Sequence, residues 1–157
     1  MVPQIKKHYN PDGGLYSIEV FEDEQRNGVC RWYYDNGNIE AEVTFKNDKR
    51  NGLYKSYYDN GIIWQEANYE DDTLQGKVKW YYENGNPAAE VEYLKGNLHG
   101  ISIWYYENGK IKLKEYYFDG KLEGHCLAYD IEGNLIYDDE YKNGIKVNST
   151  QYNNKGE

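Results

Sequence analysis

Cysteine occurs twice, proline three times and methionine once in the 157 residues. Two cysteines cannot build the disulfide framework of a small secreted domain. Three histidines, His8, His99 and His125, stand far apart, and neither His-Glu-x-x-His nor a paired Cys-x-x-Cys occurs. No metal site is expected. No apolar run approaches the ~18 residues of a membrane-crossing helix. The start, Met1-Val-Pro-Gln-Ile-Lys-Lys-His8, lacks the apolar segment of a signal peptide. A cytoplasmic location is therefore the expectation. Ser17, Ser56, Ser102 and Ser149 lie in no nucleophile-elbow context. No glycine-rich loop opens a helix, so nothing suggests a phosphate cradle. Carboxylates are plentiful, but a glycosidase holds two of them about 5–10 Å apart across a cleft. A flat repeat sheet offers such pairs without the cleft. These absences predict a protein that is not an enzyme and binds no cofactor.

Cations are also in the minority. Net charge is −9, with 8 basic and 14 acidic side chains in residues 1–75 and 10 and 13 in the rest. So even an acidic surface is a poor match for nucleic acid or an anionic membrane, and suits a basic protein partner.

What the chain has in abundance is tyrosine and glycine, 19 and 16 residues. Mean hydropathy is −1.02, yet aromatics make up 17%. Tyrosine carries apolar area behind a polar tip, so a core remains within reach and disorder is not expected.

Glycine also sets a period. Gly28, Gly52, Gly76, Gly100 and Gly124 are 24 residues apart. The same spacing holds for Gly37, Gly61, Gly85, Gly109 and Gly133, and for Phe45, Tyr69, Tyr93, Tyr117 and Tyr141. Three parallel series define a repeat, in which each unit buries its faces against its neighbours. Asn108-Gly109 between two aromatic, β-branched runs is a strong hairpin signal, and a type I′ turn is expected there.

The parse is a flank at 1–8, a repeat array over 9–147 and a flexible tail at 148–157. The array comprises a half-repeat at 9–27 and repeats at 28–51, 52–75, 76–99, 100–123 and 124–147. In the half-repeat Gly13, Leu15 and Phe21 align with Gly37, Ile39 and Phe45, which predicts one edge strand. Segments such as Lys46–Asn51 read as polar loops. The fold expected is all-β: a single-layer, twisted antiparallel meander of about eleven strands, built from 24-residue β-hairpin repeats. Cys30 and Cys126 share a register four repeats apart. Eight strand steps separate them by roughly 38 Å, so both are expected to be free thiols.

A turn centred on Asn36-Gly37 pairs Tyr34 with Ile39, Trp32 with Ala41 and Cys30 with Val43, which makes one apolar face. Each repeat-start glycine then faces a ring on both sides, and its missing β-carbon is read as room for that ring. The second face carries a predicted charge ladder of Arg31, Glu42, Lys55, Glu66, Lys79 and Glu90. On it Tyr57, Trp64 and Tyr81 should form one row. Beyond Glu90 the ladder row becomes Ile103, Lys114, Leu127 and Asp138. Ile101, Tyr105, Tyr129 and Ile136 stand beside it. This apolar patch, with Trp64 as a second anchor, is the candidate protein-contact surface. Its occupant is open between another protein and a second copy of the chain.

The unit Trp104-Tyr-Tyr-Glu-Asn-Gly-Lys-Ile-Lys112, bracketed by Gly100 and Gly124, resembles the MORN-variant repeat. That repeat is the bacterial relative of the membrane-occupation-and-recognition-nexus motif. Tandem arrays of it resemble the YwqK-type antitoxin family, and the likeness spans roughly residues 9–147. The resemblance implies an intracellular binding protein that neutralises a toxin by direct contact, and it carries no catalytic motif. Two other readings stay open: a scaffold with another protein partner, and a carbohydrate-binding surface repeat.

Overall fold

The computed structural model describes residues 2–152. Among these residues are sixteen strands and no helix, so no helix could cross a membrane. The chain divides into two compact units, Met1–Gln75 and Gly76–Glu157.

In the first unit the strands are β1 (Gln4–Tyr9), β2 (Leu15–Glu22), β3 (Gln25–Arg26), β4 (Gly28–Tyr33), β5 (Ile39–Lys46), β6 (Lys49–Tyr57), β7 (Ile63–Glu70) and β8 (Thr73–Leu74). The second holds β9 (Gly76–Tyr81), β10 (Pro87–Leu94), β11 (Asn97–Tyr105), β12 (Ile111–Phe118), β13 (Lys121–Leu122), β14 (Gly124–Tyr129), β15 (Leu135–Lys142) and β16 (Ile145–Gln151). Within each unit the long strands pair antiparallel with their sequence neighbours, the meander that the repeat predicts.

Two kinds of turn alternate, and the type I′ turns are not at the Asn-Gly positions where the sequence predicts them. At Asn36-Gly37 the Gly37 N–H donates to the Tyr34 carbonyl and the Tyr34 N–H to the Asn38 carbonyl, both at 2.9 Å. Only Gly37 of the loop has positive φ, +85°. This is the longer loop, a type I turn closed by a left-handed glycine. Tyr33 therefore pairs with Ile39, one residue out of the expected step. A bulge then restores the count, so Trp32 still meets Ala41 and Cys30 still meets Val43.

The true two-residue turns lie in the segments read as polar loops. Asn47 and Asp48 have φ of +51° and +64°, and Asp119 and Gly120 have +48° and +78°. Positive φ at both central residues is the type I′ signature. In place of the expected six-residue loop there is a tight hairpin, and strand resumes at Lys49.

The flank and the tail also need correction. Residues 4–9 form β1, which pairs with β2 through a turn bonded like those of the later repeats. The half-repeat is thus a complete hairpin whose strand β2 is covered on its outer side. Residues 145–151 form β16 on β15; the rest of the proposed tail, beyond Tyr152, lies outside the described residues.

The core follows the apolar face. Cys30, Val43 and Phe45 are buried together in the first unit, with Trp32 and Tyr54 packed against them. Val78, Ala89 and Val91 are buried in the second. Within each unit, neighbouring repeats are also tied together at both turn edges. Tyr34 donates its hydroxyl to the Tyr57 carbonyl at 2.7 Å, Tyr82 to Tyr105 at 2.6 Å and Tyr106 to Tyr129 at 2.8 Å. At the opposite edge the Asp48 N–H donates to the Arg26 carbonyl and the Gly144 N–H to that of Leu122. The second tyrosine of Trp-Tyr-Tyr is therefore a strut between repeats.

The repeat-start glycines face a ring on one side only. Gly28 pairs with Phe45 and Gly52 with Tyr69. On its other side Phe45 pairs with Arg50, and the Arg26 guanidinium stacks 4.2 Å above the Phe45 ring. A β-carbon on Gly52 would not reach a ring; it would meet Thr44 at 3.2 Å, and φ there is +114°. The glycine serves the backbone of the bulge.

Candidate contact face

The second face begins with charge. Arg31 pairs with Glu42, Glu42 with Lys55 and Lys55 with Glu66, in the predicted register. Arg31 Nε lies 2.7 Å from Glu42 Oε1, and Lys55 Nζ 3.1 Å from Glu66 Oε1. Tyr57 adds its hydroxyl to Glu42 at 2.9 Å. Burial opposes the Glu42 charge, but the Arg31 and Tyr57 hydrogen bonds outweigh it and hold its carboxyl below the usual range. The Tyr57 phenol is pushed up to about 12, by burial first and by its bond to Glu42 second.

In the second unit Lys79 opposes Glu90, and then the row changes character. Glu90 faces Ile103, Ile103 faces Lys114, Lys114 faces Leu127 and Leu127 faces Asp138. Ile103 and Leu127 are half-buried, and Ile101 is 45% exposed opposite Tyr116, itself 41% exposed. These four form the apolar strip. At its end His125 Nδ1 bonds to Asp138 Oδ1 at 2.7 Å, which raises the His125 pKa.

The other predicted contact residues are placed differently. Tyr105 and Tyr129 are half-buried, and their carbonyls receive the strut hydroxyls. Ile136 sits in the β15 bulge, and its carbonyl accepts the Tyr152 N–H at 2.9 Å. Trp64 is 45% exposed and sits in the β7 bulge, without a partner position on β6, because Tyr57 pairs with Ile63. The expected row of Tyr57 and Trp64 is thus broken by the bulge.

The apolar face holds a feature the sequence reading passed over. Glu115 occupies the register of Val43, Ala67 and Val91. Burial raises its pKa, against hydrogen bonds from Tyr117, Trp104 and Cys126. The Cys126 thiol is pushed up to about 11 by burial and then by Glu115. Both cysteines are free. A carboxylate at the register of Val43, Ala67 and Val91 was the available signal. Because the folded-state pKa is raised, the Glu115 contribution is most favourable below the unfolded value, near 4.3, and is lost as pH rises through the folded one. Glu115→Val should therefore raise the urea midpoint at pH 7 and gain less at pH 4. A variant less stable at pH 7 would show that Glu115 supports the fold.

Among the described residues no group of three or more His, Cys, Asp or Glu is arranged to hold a metal ion. No curated protein matches the chain. The family model of the MORN repeat variant matches residues 26–47, 50–71, 74–95 and 98–119. The starts of these matches are 24 residues apart, and together they take in more than half of the sequence. Repeats of this kind often bind proteins or lipids. By its repeat, its spacing and its hairpins, this chain belongs to the MORN repeat variant family.

Proposed function

We propose that the chain is a non-enzymatic protein-binding repeat of the antitoxin or immunity type, which neutralises a basic toxin by direct contact in the cytoplasm. The observation that carries the reading is the difference between the two units at one repeat register of the second face. Arg31, Glu42, Lys55 and Glu66 alternate in sign in the first unit, whereas Ile103 and Leu127 interrupt the row in the second. Exposed apolar patches on otherwise charged faces mark contact surfaces. The net charge of −9 would speed encounter with a basic partner and disfavours nucleic acid and anionic membranes. The antitoxin class comes from the likeness to YwqK-type proteins, and the contact surface comes from the row.

The test is the double variant Ile103→Asp with Leu127→Asp, used as bait in the native cell lysate beside the parent chain. The expected result is a folded variant that no longer captures the parent's partner, a basic protein whose toxicity the parent suppresses on co-expression. Unchanged capture and an unchanged oligomeric state by light scattering would remove the face from consideration. A changed oligomeric state without loss of a partner would make it a self-contact.

A further inference from the structure

Each unit carries a depression on the second face, and the two occupy the same place in the repeat. One, about 240 Å³, is lined by Val29, Arg31, Glu42, Thr44, Leu53 and Lys55. The other, about 110 Å³, is lined by Lys77, Glu90, Val91, Glu92, Ile101 and Ile103. Two periods of 24 residues carry Leu53 onto Ile101, Lys55 onto Ile103, Glu42 onto Glu90 and Thr44 onto Glu92. The first depression is therefore an internal control for the second.

Their charges differ. In the first, Arg31 and the Tyr57 hydroxyl engage Glu42 at 2.7 and 2.9 Å, and Lys55 pairs with Glu66. In the second, isoleucine stands where that lysine would be. Among the described residues the ion pair to Glu90 comes from Lys77, 3.9 Å away, with a side chain 58% exposed. Glu92 adds a carboxylate where the first depression has a threonine. Its Oε2 accepts the Ile101 N–H at 3.3 Å and lies over Gly100, where a β-carbon would overlap it. Missing side-chain volume thus seats the carboxylate against the wall of the depression.

We infer that this depression receives a lysine or arginine side chain from the protein partner. Its alkyl stem would lie along Ile101 and Ile103, and its cationic head would bond to Glu90 and Glu92. The inference rests on the reading of this face as a protein contact. Long cationic side chains bury their stems on apolar surface while their heads stay with charge. Charge-assisted bonds to carboxylates are shorter and stronger than neutral ones.

The probe is N-acetyl-lysine N-methylamide, titrated into the ¹⁵N-labelled full chain and followed by amide shifts. Saturable shifts are expected at Glu90–Glu92 and Ile101–Ile103, with none at Glu42 and Leu53. The norleucine analogue has the same stem without the charge and should bind about tenfold more weakly. The Glu90→Gln/Glu92→Gln variant should lose affinity by a similar factor while its remaining spectrum is unchanged. No saturable shift, equal binding of norleucine, or equal shifts in the first depression would overturn the inference.

Partner capture separates the two levels of the argument. Loss of capture in Ile103→Asp/Leu127→Asp but not in Glu90→Gln/Glu92→Gln would keep the contact face and overturn the anchor. Capture that survives the aspartate pair removes the face itself. Lysine binding in that case would mark a small-amine site and would overturn the protein anchor as well.

Discussion

Gly52→Val should lower the stability of the chain by about 3 kcal/mol or more, read as a fall in the urea midpoint. Two penalties combine at this position. The backbone φ is +114°, a conformation that costs a branched residue on the order of 1–3 kcal/mol. The new β-carbon would also press on Thr44 at 3.2 Å, and overpacking of this kind costs roughly 1–3 kcal/mol. Gly61 and Gly76 separate the terms. Their φ values are +83° and +77°, with open space around an added β-carbon. Gly61→Ala and Gly76→Val should carry the backbone penalty alone, about 1–2 kcal/mol for the alanine. If Gly76→Val proved as damaging as Gly52→Val, side-chain contact with Thr44 would have no part in the effect.

Val78→Asp is the second large effect. Val78 is fully buried and faces Val91 across the strand pair. An unpaired carboxylate in such a site costs on the order of 3–5 kcal/mol. That is a large share of the 5–15 kcal/mol by which folded chains typically exceed unfolded ones. The same row tolerates Asp139 because β16 brings Lys146 Nζ to 2.7 Å and the Ser149 hydroxyl also bonds to it. Asp139→Val should therefore cost little, since Lys146 is half-exposed and returns to solvent. Far-UV circular dichroism on heating reads both variants. A Val78→Asp protein melting within a few degrees of the parent would mean that this row is open to water.

Period and register were legible in the sequence because they depend on counting. Arg31 opposite Glu42, and Ile103 between Glu90 and Lys114, follow from a 24-residue spacing and a turn centre. The turn type was not legible from Asn-Gly alone. The dipeptide supports both a two-residue loop and a longer loop with one left-handed glycine, and only hydrogen bonding separates them. The error stayed local because a bulge follows every such loop. Trp64 and Ile136 sit in those bulges, so the residues proposed as anchors were the ones that the misread turn displaced. The tight turns were missed for a simpler reason. Asp119-Gly120 and Asn143-Gly144 are themselves hairpin signals, but Asn47-Asp48 at the same repeat position hid them behind charge. Strand β1 carries a single aromatic of the repeat, Tyr9 in the register of Tyr33, and lacks the tryptophan and second tyrosine that mark the later repeats. On the candidate face, Ile103 and Leu127 were found because they break a pattern. Glu92 was not, because one more acidic residue in an acidic chain stands out only when Gly100 is seen beneath it.

The tyrosine struts bear on how such a chain can change length. Tyr82 reaches Tyr105, and Tyr106 reaches Tyr129, by the same step. If recombination removed residues 100–123, the Tyr82 hydroxyl would meet the Tyr129 carbonyl in the place that Tyr105 had held. Inserting a copy of the same stretch would likewise leave every donor an acceptor. A deletion that is not a whole number of repeats would put the wrong residue under each hydroxyl and swap the two faces or misplace the bulges. Inheritance can therefore lengthen or shorten this protein in whole repeats at small cost, while the strip carrying Ile103 and Leu127 is free to be copied, lost or rewritten for a new partner.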